Sequence, residues 1–194
     1  MTCIVGIQEH GNVYLGGDSA GVSGNNLRIR KDSKVFSVGS ILFGFTSSFR
    51  MGQLLRFSLK IPEQTTLDDY KYLCTSLIDA IRKCFKKGGY VGTEKSGQEL
   101  GGDFLIGYKG QLYHVCSDFQ VGIPELSYDA CGCGEPYALG SLYATEGLEL
   151  GPPERIRRAL EAAAKFSGAV APPFHIISSV VCGMGSSSKK KKLD

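Results

Sequence analysis

Short runs of apolar residues with strand character, joined in pairs by tight Gly-containing turns, are each time followed by helical stripes in this sequence. Thr2 to Gln8 and Val13 to Leu15 flank His10-Gly11-Asn12, a hairpin signal. Lys34 to Val38 and Ile41 to Phe45 flank Gly39-Ser40, and Phe104 to Tyr108 and Gln111 to Val115 flank Lys109-Gly110. After the second pair, Ser47-Ser48 can cap a helix through Met51, Leu54, Leu55 and Leu59 that ends before Pro62. Thr66 is expected to cap the next helix, with Asp68 and Asp69 in its first turn and an apolar stripe from Leu67 to Phe85. Gly88-Gly89 stops it, and the polar stretch from Tyr90 to Gly102 reads as a loop. Two short strands are expected near Phe119 to Val121 and Ser127 to Cys131. Helices follow at Glu135 to Ala144 and Pro153 to Phe166, then a last strand from Phe174 to Val181.

The two halves therefore repeat one order, strands and then helices. That pattern predicts an α+β chain whose two antiparallel sheets pack face to face, with helices on both outer sides: a four-layer α-β-β-α sandwich. One domain over residues 1–183 is expected, with a disordered Ser/Lys-rich tail over 184–194.

The net charge of +3 sits in that tail. Ser186 to Asp194 carries four Lys and one Asp, which leaves 18 basic and 18 acidic residues in the body. A neutral body excludes a nucleic-acid surface inferred from overall charge. No stretch reaches the ~20 apolar residues of a membrane span, and the N-terminal residues lack the pattern of a signal peptide. Seven Cys in such a chain read as reduced thiols of a cytoplasmic protein. None forms a CxxC pair, and His10, His114 and His175 are scattered, so no metal site is expected. Gly92-Thr93-Glu94-Lys95-Ser96 lacks the order of a phosphate-binding loop, so no cofactor is expected either.

The chemical signal lies at Thr2. A small residue after Met1 permits removal of the initiator, which would give Thr2 a free α-amine beside its hydroxyl. Such an amine, with a pKa of roughly 8, can act as general base without any His. A Met-Thr start alone is also an ordinary strand start. Taken alone, Asp18 reads as a turn residue and Lys34 as a solvated strand end.

The segment from Thr2 to Phe49 resembles the N-terminal region of proteasome β subunits and of the peptidase HslV. The resemblance rests on Thr2, Gly17-Asp18-Ser19, Gly24-Asn25 and Lys34-Val35, spaced from Thr2 without a gap. Further on, ILFGFTSSFRMGQLLR, GGDFLIGYKGQLYHV, YDACGCGEPYALGSLY, PPERIRRALEAAAKFSG and PPFHII extend it to about residue 181. The resemblance implies the N-terminal nucleophile hydrolase fold and a threonine-type endopeptidase. It casts Thr2 as nucleophile, Lys34 as the cation beside it, Asp18 as the partner of Lys34, the Ser47 N–H as oxyanion donor and Cys133 as a support for the α-amine. Gly21, Phe45 and Phe49 would contact substrate, the two aromatics lining an apolar, partly filled pocket; a core role for both is the alternative.

Departures accompany the likeness. The family usually has Gly where Ser47 stands, Ser where Cys133 stands, and an Asp where Ala164 stands. These motivate a catalytically idle structural or regulatory subunit as one alternative. A small-amide hydrolase of the same superfold is another. Trimming to Cys3 would give an N-terminal Cys amidase, but the Asp18 and Lys34 spacing counts from Thr2, and Cys3 is expected as an inward strand residue. The partners implied are polypeptide substrates, a homo-oligomeric ring and an ATP-dependent unfoldase, with neither nucleic acid nor membrane.

Overall fold

The computed structural model describes residues 2–90, 92–93 and 99–179. The expected tail over 184–194 lies outside the described residues, as do Val180 and Val181 of the expected last strand.

The first hairpin pairs β1 (Ile4–Glu9) with β2 (Asn12–Gly17). Its turn uses His10 and Gly11 at φ 49° and 73°, the left-handed pair that matches strand twist. A second hairpin, β3 (Ala20–Ser23) and β4 (Asn26–Ile29), turns at Gly24, φ 57°. It was not expected from the sequence, because Arg28 and Arg30 interrupt the apolar signal. β5 (Val35–Val38) and β6 (Ile41–Phe45) follow.

α1 (Phe49–Phe57) starts at Ser48, whose Oγ accepts from the Arg50 N–H. α2 (Asp69–Tyr72) runs through a π-helical turn (Leu73–Leu77) into α3 (Ile78–Lys87). Its cap is Asp68, which accepts from the Lys71 N–H, and not Thr66, whose hydroxyl instead accepts from the Asp68 N–H. Leu67 lies before the helix and is fully exposed, so the apolar stripe begins one turn later than the sequence suggests.

β7 (Gly92–Thr93) pairs with β8 (Glu99–Leu100) inside the expected loop. β9 (Phe104–Tyr108), β10 (Gln111–Val115), β11 (Val121–Gly122) and β12 (Tyr128–Cys131) complete the second run of strands. Phe119 lies in the turn before β11 at φ 69° rather than in a strand. α4 (Glu135–Ala144), α5 (Pro152–Phe166) and β13 (His175–Ser178) close the chain.

One sheet has the order β12-β1-β2-β13 and the other β11-β10-β9-β6-β5, with antiparallel neighbours throughout. Strand periodicity sorts their side chains into three cores. Ile4, Leu15, Val35, Leu42, Leu105 and Leu112 meet between the sheets. Cys3, Val5 and Ile7 point the other way, onto Ile156, Leu160 and Ala163 of α5. Ile41, Phe43 and Phe45 of β6 likewise face Leu54, Leu55, Leu77 and Ile81 on the far side. The result is the four-layer α-β-β-α sandwich. Close approach between layers needs bare backbone: a Cβ on Gly16 would lie 2.2 Å from Ile156, and one on Gly44 2.5 Å from Ile4. Among the described residues, no helix is long and apolar enough to cross a membrane.

Candidate active site

Thr2 leads into β1, Asp18 follows β2, and Lys34 leads into β5. The β1–β2 register sets Ile4 opposite Gly17, so Cys3 and Asp18 end side by side. Gly17 lets the second sheet close on that corner, since a Cβ there would meet Val35 at 3.3 Å and the Lys34 stem at 3.5 Å.

The corner holds a buried polar chain. Lys34 Nζ donates to Thr2 Oγ1 at 2.6 Å and to Asp18 Oδ1 at 2.7 Å. Asp18 is fully buried, with its charge met on all sides. Oδ1 also accepts from the Cys3 N–H at 3.0 Å, and Oδ2 accepts from the N–H groups of Ala20 (2.8 Å) and Ala171 (3.3 Å). A buried charge persists only when it is paired and hydrogen-bonded in this way. Burial pushes the Lys34 ammonium below the usual lysine pKa, and the Asp18 charge pulls it back up without cancelling the effect. Lys34 is thus a buried ammonium, shared between the Asp18 carboxylate and the Thr2 hydroxyl.

The turn between β12 and α4 grips the backbone of Thr2. The Thr2 N–H donates to Cys133 Sγ at 3.2 Å, and the Thr2 carbonyl accepts from the Gly134 N–H at 3.2 Å and from Cys133 Sγ at 3.4 Å. Gly132, φ 97°, must be glycine twice over, because a Cβ there would lie 2.4 Å from the Thr2 carbonyl oxygen. Ser167 Oγ lies 3.6 Å from the Cys133 sulfur.

Thr46, Ser47 and Ser48 form the junction from β6 to α1. Thr46 is anchored through its N–H and Oγ1 to the Asp103 carbonyl, at 3.1 and 2.7 Å. Ser47 has φ 61°, a conformation that favours Gly, and its side chain is exposed. The Ser48 N–H turns back onto the Thr46 carbonyl at 2.6 Å, whereas the Ser47 N–H has no partner among the described residues.

Thr2 opens into a cavity of about 460 Å³ between the β3–β4 hairpin and the Phe45–Phe49 segment, with Gly21 and Ser47 also in its wall. Phe45 is buried, edge-on to Phe49 at 5.7 Å between centroids, and a Cβ on Gly52 would strike its ring at 2.2 Å. The Arg30 guanidinium covers Phe49 at 3.8 Å from the ring centroid.

No protein-family model matches this chain, and no curated protein sequence does. Solved structures match closely in shape. BPH from Thiobacillus denitrificans, solved in complex with epoxomicin, superimposes with a TM-score of 0.77 at 21% identity, over 91% of this chain and 97% of that one. HslV from Trypanosoma brucei gives 0.65 at 13% identity over 91% and 98%, and Anbu, an ancestral β subunit from Yersinia bercovieri, gives 0.63 at 14% over 92% and 81%. This chain has the proteasome-like fold.

All eight residues singled out from the sequence lie at one end of that proteasome-like sandwich. Thr2, Asp18, Lys34 and Cys133 join in one hydrogen-bonded chain, and Gly21, Phe45, Ser47 and Phe49 line the adjoining cavity. The apolar pocket expected from Phe45 and Phe49 is different in detail: both rings pack against neighbours, and Arg30 roofs Phe49. Cys3 turns into the core under α5, and burial, with the Asp18 charge second, pushes its thiol far above its ordinary pKa. Ala164 packs against the same core and brings no carboxylate. The N–H of Ala171, a backbone donor to Asp18, has no residue signature and was not foreseen. Arg30 and Asp32 could have been noticed as an i, i+2 ion pair.

Proposed function

We propose that this chain is a threonine-type endopeptidase whose nucleophile is Thr2, exposed by removal of Met1. The observation that carries the reading is Lys34 Nζ, 2.6 Å from Thr2 Oγ1 and 2.7 Å from Asp18. The Thr2 α-amine, held at Cys133, takes the hydroxyl proton as Oγ1 attacks the peptide carbonyl. The Lys34 cation stabilises the developing alkoxide, and Asp18 keeps Lys34 oriented and charged. The Ser47 N–H, which has no competing partner among the described residues, meets the oxyanion. The ammonium then returns the proton to the leaving nitrogen, the C–N bond breaks, and an acyl ester remains on Thr2 for water to hydrolyse. The work is done in the cytoplasm, inside a ring of copies of this chain, on polypeptides delivered by an ATP-dependent unfoldase.

Epoxomicin, which BPH binds, is the probe of choice. Intact mass should show loss of Met1 and then one adduct on Thr2, absent in Thr2→Ala. A processed N-terminus that takes no adduct would leave the idle-subunit reading, which the absence of a carboxylate at Ala164 favours. Sedimentation tests the ring: a 20.9 kDa monomer at working concentration would refute it.

A further inference from the structure

The cavity beside Thr2 is lined by two guanidinium groups, Arg28 and Arg30, and, among the described residues, by no carboxylate. The register of the β3–β4 hairpin explains this. Gly21 stands opposite Arg28 and Ser23 opposite Asn26, so these side-chain positions share one face, with Arg30 two residues further along it. Leu27 and Ile29 alternate onto the other face.

Arg30 is set in place from three sides. Its Nε and Nη2 donate to the two Asp32 oxygens at 2.8 and 2.6 Å. Its plane rests on Phe49. Its stem crosses Gly21 so closely that a Cβ there would lie 2.9 Å from Arg30 Cδ. A guanidinium has five N–H donors. Asp32 engages two groups, and the remaining donors have no acceptor among the described residues. Arg28 is exposed and meets no carboxylate among the described residues. A fixed planar fork plus an exposed second cation is an arrangement that suits a carboxylate. The aromatic rings offer an apolar side chain little in its place, since Phe45 is buried against Phe49 and Phe49 is covered by Arg30.

We infer that the cavity selects substrates with Asp or Glu immediately before the scissile bond. This rests on the peptidase reading of Thr2 and names its substrate class. The carboxylate meets the open edge of Arg30, while Arg28 closes over it from the rim. A Lys or Arg side chain at the same point faces the Arg28 charge and the donor edge of Arg30, whose own charge Asp32 meets from the other side.

The test is a set of fluorogenic peptides identical except for Glu, Leu or Lys before the cleaved bond, assayed with the processed full-length protein alongside epoxomicin labelling. Expected is a kcat/KM for Glu at least about tenfold above that for Lys and above that for Leu, shrinking as salt rises. Arg28→Glu should move the Glu-to-Lys ratio at least about fivefold toward Lys, and Arg28→Gln should fall between. A misfolded variant would lower both rates and leave the ratio unmoved. Equal or better turnover of Leu or Lys peptides overturns the inference and leaves the peptidase reading standing. No turnover of any peptide together with no epoxomicin adduct overturns both.

Discussion

The Lys34 ammonium donates to Thr2 Oγ1 across 2.6 Å, from a side chain that is only 1% exposed. A buried cation against a hydroxyl stabilises the alkoxide far more than it could in water. Lys34→Ala should therefore lower kcat/KM by about 10²-fold or more, and slow epoxomicin labelling with it, while intact mass still shows Met1 removed. It also removes one of four donors to Asp18, so a lower melting temperature should accompany the loss. Steady-state rates on protein shown folded by circular dichroism make the check, and retained turnover would remove Lys34 from the mechanism.

Asp18 opposes the effect of burial on Lys34 and so holds the ammonium charged to higher pH. Asp18→Asn takes that support away, and the Lys34 pKa falls further. Since the proposed chemistry uses charged Lys34, the alkaline limb of the pH profile of kcat/KM should move to lower pH. The variant leaves a buried cation unpaired, a change that costs roughly 3–5 kcal/mol in comparable sites, and chemical denaturation should detect it. An alkaline limb that does not move would show that Lys34 does not report on it.

The layers of the fold were readable because period-2 alternation separates Ile4, Leu15 and Leu42 from Val5, Ile7 and Phe43 whatever the details of packing. The spacing of Thr2, Asp18 and Lys34 was readable because all three sit at strand ends whose register follows from the hairpins. The β3–β4 hairpin was not, since both faces there carry polar or exposed residues and no core imposes a pattern. Nor was the cap at Asp68, where Thr66 offers the same chemistry two residues earlier. The cationic cavity escaped because it depends on a cross-strand pairing, Gly21 with Arg28, that only a hairpin creates.

Ser47 occupies φ 61° with a Cβ that this region disfavours. Ser47→Gly should relieve strain worth about 1 kcal/mol, partly offset by the greater freedom of Gly in the unfolded chain. The Ser47 N–H is kept, so the oxyanion donor survives and the side chain beside the cavity goes. Melting temperature unchanged or slightly raised, with kcat/KM equal or higher, is the expected pair of results. A tenfold fall in kcat/KM would mean that the Ser47 hydroxyl takes part.

His114 on β10 reaches across to Asp129 on β12 at 2.8 Å and so ties the edge strand of one sheet to the second strand of the other. Burial disfavours the charged ring, but the hydrogen bond and charge of Asp129, with Asp103 and Glu135 nearby, raise its pKa above the ordinary value. The folded state therefore binds this proton more tightly than the unfolded chain does. Its contribution to stability is complete below about pH 6.5, the unfolded value, and is lost as pH rises through the higher folded value. His114→Gln should flatten the fall of melting temperature across that window. An unchanged slope would place the proton elsewhere.

Cys133 Sγ is the sole side-chain partner of the Thr2 N–H among the described residues, and a thiol is a weak acceptor and donor. Cys133→Ser keeps the contact with Thr2 and with Ser167 while shortening and strengthening it. If the α-amine is the base, a better-held amine should raise kcat/KM by roughly fivefold, the effect of about 1 kcal/mol. Cys133→Ala should lower it by a similar factor. Both variants must be compared at equal Met1 removal, read by intact mass, because the turn that holds Thr2 also shapes the N-terminus that is trimmed. If Ser and Ala give the same rate, Cys133 only fills space beside Thr2 and the amine is positioned by backbone alone.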